Sequence, residues 1–233
     1  MNIERLSFGA TERKEEVTGL WAYPVGATHT LVLSHAASTN IEHASMVAIA
    51  EALYAVGIAT FRYNFPYMEK GGGGLDGRRT CYEAVRSAVA KAGELSDLPR
   101  LAGGRSFGGR MTSMAVAEQP IEGLSGIVFY AFPLHSAKKP SIDRAEHLAD
   151  VGLPILFLSG KRDALAEMHL LKPVVDGLDQ ATLQVIGMAD HSFKVLKRSG
   201  ITEEEVQRIA AEAVREWANG NWQLEKWKMR QES

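Results

Sequence analysis

Leu101-Ala-Gly-Gly-Arg-Ser-Phe-Gly-Gly-Arg110 is the stretch on which the fold turns. It contains Gly104-Arg105-Ser106-Phe107-Gly108, a G-x-S-x-G set between a short apolar run and a segment of helical periodicity. A strand turning abruptly into a helix forces the central serine into a strained backbone, and side chains two positions to either side would collide with it; glycine removes them. The same turn aims the Ser106 hydroxyl outward and offers the backbone N–H of Phe107, at the helix start, to a developing oxyanion. The bland alternative is a glycine-rich junction that only packs closely. Neither G-x-G-x-x-G nor G-x-x-x-x-G-K-[ST] occurs, so a dinucleotide or P-loop reading lacks its defining residues.

Outward from this turn the chain alternates. Upstream, Thr30–Leu33 reads as a strand, Ile41–Val56 as a helix stopped by Gly57, 58–63 as a strand and 76–92 as a helix. The central turn joins strand 100–104 to helix 107–118. Downstream follow strands 126–131 and 153–159, helix 164–177, strand 181–186 and a helix from 202 to about 217. Before all of these, residues 3–8 and 16–23 suggest an antiparallel hairpin at a sheet edge. The expectation is an α/β fold, a mostly parallel sheet clothed by helices on both faces, with its site beyond the carboxyl ends of the strands.

A serine hydroxyl is a poor nucleophile at neutral pH and needs a base within hydrogen-bond reach and an acid to hold that base's tautomer. In this fold the chain order is serine, acid, histidine. Downstream of Ser106 stand His135, His147, His169 and His191. His191, in the loop directly after the last strand, is the candidate base; His147 and His169 fall in helical patterns and read as surface or packing residues. His135 follows a strand and is a candidate to line the site. Asp163, in Ser159-Gly-Lys-Arg-Asp163 at a strand's carboxyl end, is the candidate acid, its competing role being an N-cap for helix 164–177. Asp190, Asp143 and Asp150 are weaker acids. The second oxyanion donor is expected from the loop after the first parallel strand, at the N–H of Ala37, each such donor being worth on the order of 3 kcal/mol. His35 and Arg62, at strand ends, are candidate substrate contacts, with polar residues satisfying loop carbonyls as the bland reading. Asp76 is expected to cap the helix that follows it.

The composition is that of one ordinary globular domain spanning 1–233, with 45% hydrophobic and 23% charged residues. A formal charge of -2 supplies no basic field for nucleic acid, and no nucleic-acid partner is expected. Cys81 is the sole cysteine, so no internal disulfide forms, and it has no evident histidine partner. With no secretory h-region and no run of 18 apolar residues, a cytoplasmic protein without membrane association is expected. Neither H-E-x-x-H nor a pair of Cys-x-x-Cys motifs occurs, and no metal or other cofactor is expected. Trp217, Trp222 and Trp227 crowd the tail; Trp217 is expected on the sheet, and the other two are available to cover a second subunit of a homo-oligomer.

These motifs resemble the α/β-hydrolase superfamily, and within it a small group of hydrolases related to testis-expressed and chromatin-complex subunit proteins of animals. The resemblance rests on Leu33-Ser-His-Ala-Ala37, Arg62-Tyr-Asn-Phe-Pro-Tyr-Met68, Gly103–Arg110, Ser159–Asp163 and Asp190-His-Ser-Phe193. It implies the α/β-hydrolase fold, the Ser106, Asp163 and His191 assignment, and an esterase or acyl-hydrolase activity on a small acyl substrate. One departure stands out: the family usually reads His-Gly where this chain has His35-Ala36, a change that disturbs the oxyanion loop only if the position needs a positive φ. Residues 132–152, a connection of 21 residues, leave room for a short helix and not for a large lid. Two other readings stay open: a non-catalytic hydrolase-fold interaction module, and a peptidase or acyltransferase using the same three residues.

Overall fold

A computed structural model describes residues 1–13, 15–71 and 74–220. Eight strands form one sheet: β1 (Glu4–Gly9), β2 (Glu16–Ala22), β3 (His29–Ser34), β4 (Ile58–Tyr63), β5 (Arg100–Arg105), β6 (Leu124–Tyr130), β7 (Ile155–Gly160) and β8 (Ala181–Ile186). Their order across the sheet is β1-β2-β4-β3-β5-β6-β7-β8. Strands β3 to β8 run parallel, while the β1–β2 hairpin joins antiparallel to the edge of β4. β4 and β7 are buried along their whole length, as parallel strands covered on both faces must be.

Helices α1 (Ala44–Ala55) and α6 (Glu203–Ala218) cover one face. Helices α3 (Arg78–Leu95), α4 (Phe107–Glu118) and α5 (Met168–Asp176) cover the other, with a 3-10 helix at Asp143–Asp150; the short α2 (Pro66–Glu69) lies in the loop after β4. The stripe Val206, Ala210, Val214 presses α6 onto Leu156 and Leu158 of β7 and Ile186 of β8, and Trp217 reaches Gly126 at the start of β6. Thr202 caps this helix by accepting the Glu205 N–H at 3.1 Å, and Glu203, Glu204 and Glu205 complement the positive end of its dipole. Trp222 and Trp227 lie outside the described residues.

Helix starts depart from the sequence reading for identifiable reasons. α1 begins at Ala44 and not Ile41, because Asn40 Oδ1 takes the Glu42 N–H at 3.0 Å and Asn64 Oδ1 takes the Ile41 N–H at 3.1 Å. α5 begins at Met168 and not at 164, since Asp163 holds the Leu165 N–H in a loop. Asp163 therefore does not cap α5. Asp76 does not cap α3 either: Gly77 stands at that position, and Asp76 Oδ2 accepts the Tyr67 N–H at 2.7 Å across the loop.

Gly104 and Gly108 are required by the close approach of the chain leaving β3. A Cβ on Gly104 would lie 2.4 Å from Ser34 O, and one on Gly108 would lie 2.5 Å from His35 O. Both collisions are with the end of β3 and the residue that follows it. Their absence lets the first turn of α4 press against the loop leaving β3, which positions the site described next.

Candidate active site

Ser106 stands between β5 and α4 at φ 51, ψ −111, a region that non-glycine residues rarely enter and that costs on the order of 1–3 kcal/mol. The turn is pinned by the Ser106 N–H donating to Tyr130 O at 2.9 Å. Its Oγ lies 2.9 Å from His191 Nε2, and His191 Nδ1 lies 2.8 Å from Asp163 Oδ2 and 3.0 Å from Oδ1. The Asp163 carboxylate is buried, and its Oδ1 also accepts the Leu165 N–H at 2.8 Å. Three loops, after β5, β7 and β8, thereby bring a hydroxyl, a carboxylate and an imidazole into one hydrogen-bonded line. Such a line can pass the hydroxyl proton to Nε2 while Nδ1–H stays on the carboxylate.

Asp190 is spent on its own loop. Its Oδ1 accepts the N–H groups of Ser192 and Lys194 at 2.8 and 3.0 Å, and these bonds shape the turn that presents His191.

The loop after β3 carries the Ala37 N–H. Ala36 O is held by His35 Nδ1 at 2.8 Å, by the Thr39 N–H at 3.2 Å and by the Thr39 hydroxyl at 3.3 Å. In a trans peptide the carbonyl and the next N–H point oppositely, so these bonds turn the Ala37 N–H to the other side of the loop, where it has no partner among the described residues. Ala37 O is fixed in turn by the Tyr67 hydroxyl at 3.0 Å. Ala36 is not among the residues of positive φ, so the methyl that replaces the family's usual glycine leaves this backbone undisturbed.

Three residues read as substrate contacts have other employment. His35 is fully buried, donates from Nδ1 to Ala36 O and accepts the Phe65 N–H on Nε2 at 3.0 Å. Burial pushes its pKa down to about 4 against the opposing pull of Ala36 O and Glu69, so it is a neutral brace between two loops. Arg62 is buried and donates from Nη1 to Ile41 O at 2.8 Å, anchoring the segment before α1; burial lowers its pKa, against the charges of Glu51 and Glu42. His135 is buried in the wall, with Nδ1 2.9 Å from Ser136 O and Nε2 2.5 Å from Glu167 Oε2. Burial opposes its charged form, but the bonds to Ser136 O and Glu167 outweigh it and raise the pKa; the contact with Glu167 ties the loop after β6 to the segment that follows Asp163. A strand's carboxyl end demands polar side chains for bracing as well as for chemistry, and the sequence does not separate the two.

Other features of the site escaped the sequence reading. Tyr67, Phe65 and Phe107 form an aromatic cluster beside Ser106, with Phe107 edge-on to both others at centroid distances of 5.7 and 6.4 Å. Arg110, one turn beyond Ser106, is bonded to it through its backbone N–H at 3.1 Å. Its position in the first turn of α4 is the signal that marks it. Cys81 is buried, its thiol pushed up to about 12 by burial and the Asp76 charge, which removes it from nucleophilic chemistry.

Solved structures of the same architecture cover nearly the whole chain. They include the esterase domain of a Rhodothermus marinus protein (16% identity, 94% of this chain and 98% of that one, TM-score 0.68). A dienelactone hydrolase from Anabaena variabilis matches at 20% identity over 91% and 95% of the two chains, TM-score 0.69. An α/β serine hydrolase without a lid, from Xanthomonas campestris, matches at 20% identity over 93% and 95%, TM-score 0.69. At these identities the likeness establishes the fold. The family model described as an alpha/beta hydrolase domain matches residues 27–219, and the chain belongs to that family of hydrolases.

Proposed function

We propose that the protein is a serine hydrolase that cleaves an ester, thioester or related acyl bond through an acyl-Ser106 intermediate. The observation that carries this reading is the continuous line from Ser106 Oγ through His191 to the buried Asp163 carboxylate. Ser106 Oγ attacks the acyl carbon as His191 Nε2 takes its proton. The N–H groups of Phe107 and Ala37 meet the resulting oxyanion. Collapse breaks the bond to the leaving group, which departs with the proton from Nε2. Water then gives a proton to Nε2 as its oxygen attacks the acyl carbon, and the second collapse frees the acid and returns the proton to Ser106 Oγ.

The esterase domain, dienelactone hydrolase and serine hydrolase among the structural neighbours agree with acyl-bond cleavage. The motifs around His35, Ser106 and His191 favour placement in the group related to the testis-expressed and chromatin-complex proteins. The connection between β6 and β7 contains one 3-10 helix of 8 residues, which suits a small or solvent-accessible substrate. A fluorophosphonate probe is the direct test: it is expected to label the folded protein at Ser106 and to fail on Ser106→Ala. Absence of labelling in a folded sample, with inertness toward short acyl esters, overturns the reading in favour of a non-catalytic module.

A further inference from the structure

Three arginines from three separate elements lie within electrostatic reach of one another around the first turn of α4, the turn that follows Ser106. Arg110 lies in the first turn of α4, its backbone N–H on Ser106 O at 3.1 Å. Arg78 is the first residue of α3, which packs alongside α4, and is exposed. Arg144 comes from the 3-10 helix between β6 and β7 and is fixed there, donating to His135 O at 3.0 Å and Ser136 Oγ at 2.7 Å. That 3-10 helix is tied to α4 one turn past Arg110, where His147 Nε2 lies 2.8 Å from Ser113 Oγ. The three arginines are therefore carried by elements packed on one another around α4.

The charges do not cancel. Besides burial, the charges acting on Arg110 are those of Arg144 and Arg78, both repulsive, together with the phenol of Tyr82, and no carboxylate is among them. Arg110 Nε is buried and lacks any hydrogen-bond partner, while Arg78 makes no ion pair among the described residues. The cluster also disfavours a charged His147: burial, then Arg110, hold its pKa down to about 4 against the pull of Asp150. Like charges brought together without a carboxylate among them are unfavourable in the free protein, and an anion relieves that repulsion.

We infer that Arg110, Arg78 and Arg144 form a binding site for a carboxylate on the substrate, displaced from the scissile carbonyl by about one helical turn (~5 Å). The inference rests on the proposed serine-hydrolase reading and deepens it: the substrate is an acyl ester or thioester whose chain ends in an anion. Arg110 supplies the half-buried charge next to the nucleophile's turn, Arg78 the solvent-side charge and Arg144 a charge held in place by His135 O and Ser136 Oγ. The half-buried Phe107 ring, backed by the buried Phe65 and Tyr67, lies at the Ser106 end and suits the methylenes between the two ends of such a chain.

The test compares mono-4-nitrophenyl adipate with 4-nitrophenyl hexanoate, acyl groups of the same chain length with and without a terminal carboxylate. The wild-type protein is expected to prefer the adipate at least tenfold in kcat/KM, with the preference shrinking as NaCl rises from about 0.05 to 0.5 M. Arg110→Met and the exposed Arg78→Ala are each expected to lose at least fivefold more on the adipate than on the hexanoate, with circular dichroism reporting that both fold. Equal use of the two esters by wild type, or equal losses on both in the variants, overturns the anion site while leaving the serine-hydrolase reading intact. If neither ester turns over but fluorophosphonate labels Ser106, free adipate is expected to slow labelling in wild type and not in Arg110→Met; no slowing also overturns the site. Failure of fluorophosphonate to label the folded protein overturns the serine-hydrolase reading and this inference with it.

Discussion

His35 Nε2 accepts the Phe65 N–H at 3.0 Å, so the imidazole proton resides on Nδ1, where it meets Ala36 O. A buried ring held in this neutral form couples the loop of the Ala37 N–H to the loop after β4. Protonating it would place a second proton against the Phe65 N–H.

Stability is expected to fall as pH drops from about 7 to 4. Burial holds the pKa of His35 near 4 in the fold, below its ordinary value of 6.5, so the unfolded chain binds the proton first. The stabilisation is complete above about 6.5 and is lost as pH falls toward 4, by about 3 kcal/mol for this one group. His147, also pushed down to about 4, acts in the same direction. Urea denaturation at pH 7, 5.5 and 4.5 checks this, and a midpoint independent of pH across that window would contradict it.

Tyr67→Phe is expected to lower kcat by about three- to tenfold, with KM nearly unchanged, because one hydrogen bond of about 0.5–1.5 kcal/mol no longer fixes Ala37 O. Its ring contacts with Phe65 and Phe107 survive the substitution. Steady-state kinetics on a neutral ester such as 4-nitrophenyl acetate read the effect; an unchanged kcat would show that Ala37 needs no such support.

Gly108→Ala and Gly187→Ala should diverge. A methyl at 108 meets His35 O at 2.5 Å, a backbone atom that cannot swing aside, and is expected to cost about 1–3 kcal/mol or more. A methyl at 187 finds Ile201 Cδ1 at 3.8 Å as its nearest neighbour and is expected to be neutral or to stabilise by up to about 1 kcal/mol. Thermal denaturation of the two variants compares them directly.

Asp163→Asn is expected to leave the fold intact and lower kcat by on the order of 10³–10⁴, since the amide favours the wrong imidazole tautomer at His191. A loss smaller than tenfold would mean that another group orients the base.

The alternation of elements was readable because parallel strands buried on both faces, such as Ile155–Gly160, have few chemical alternatives. Ser106, Asp163 and His191 stood out for the same local reason, each lying directly past a strand's carboxyl end. What escaped was pairing at a distance. Nothing near Arg62 in the chain announces Ile41 O as its partner, and nothing near His135 announces Glu167. The arginine cluster was hidden likewise, its members being drawn from helices whose relative placement only packing decides. The N-cap expectation at Asp76 failed, and the competing N-cap role for Asp163 is not taken up, because both carboxylates found backbone donors in loops, where the same side-chain chemistry is equally at home.

The backbone at position 106 has a final implication for how this sequence came to be what it is. A residue at φ 51, ψ −111 is comfortable only without a side chain, so a chain selected for foldability alone would carry glycine there. Serine in that place means the molecule tolerates a permanent local discomfort, and Ser106→Gly, though inert, should melt at a higher temperature than the protein it replaces.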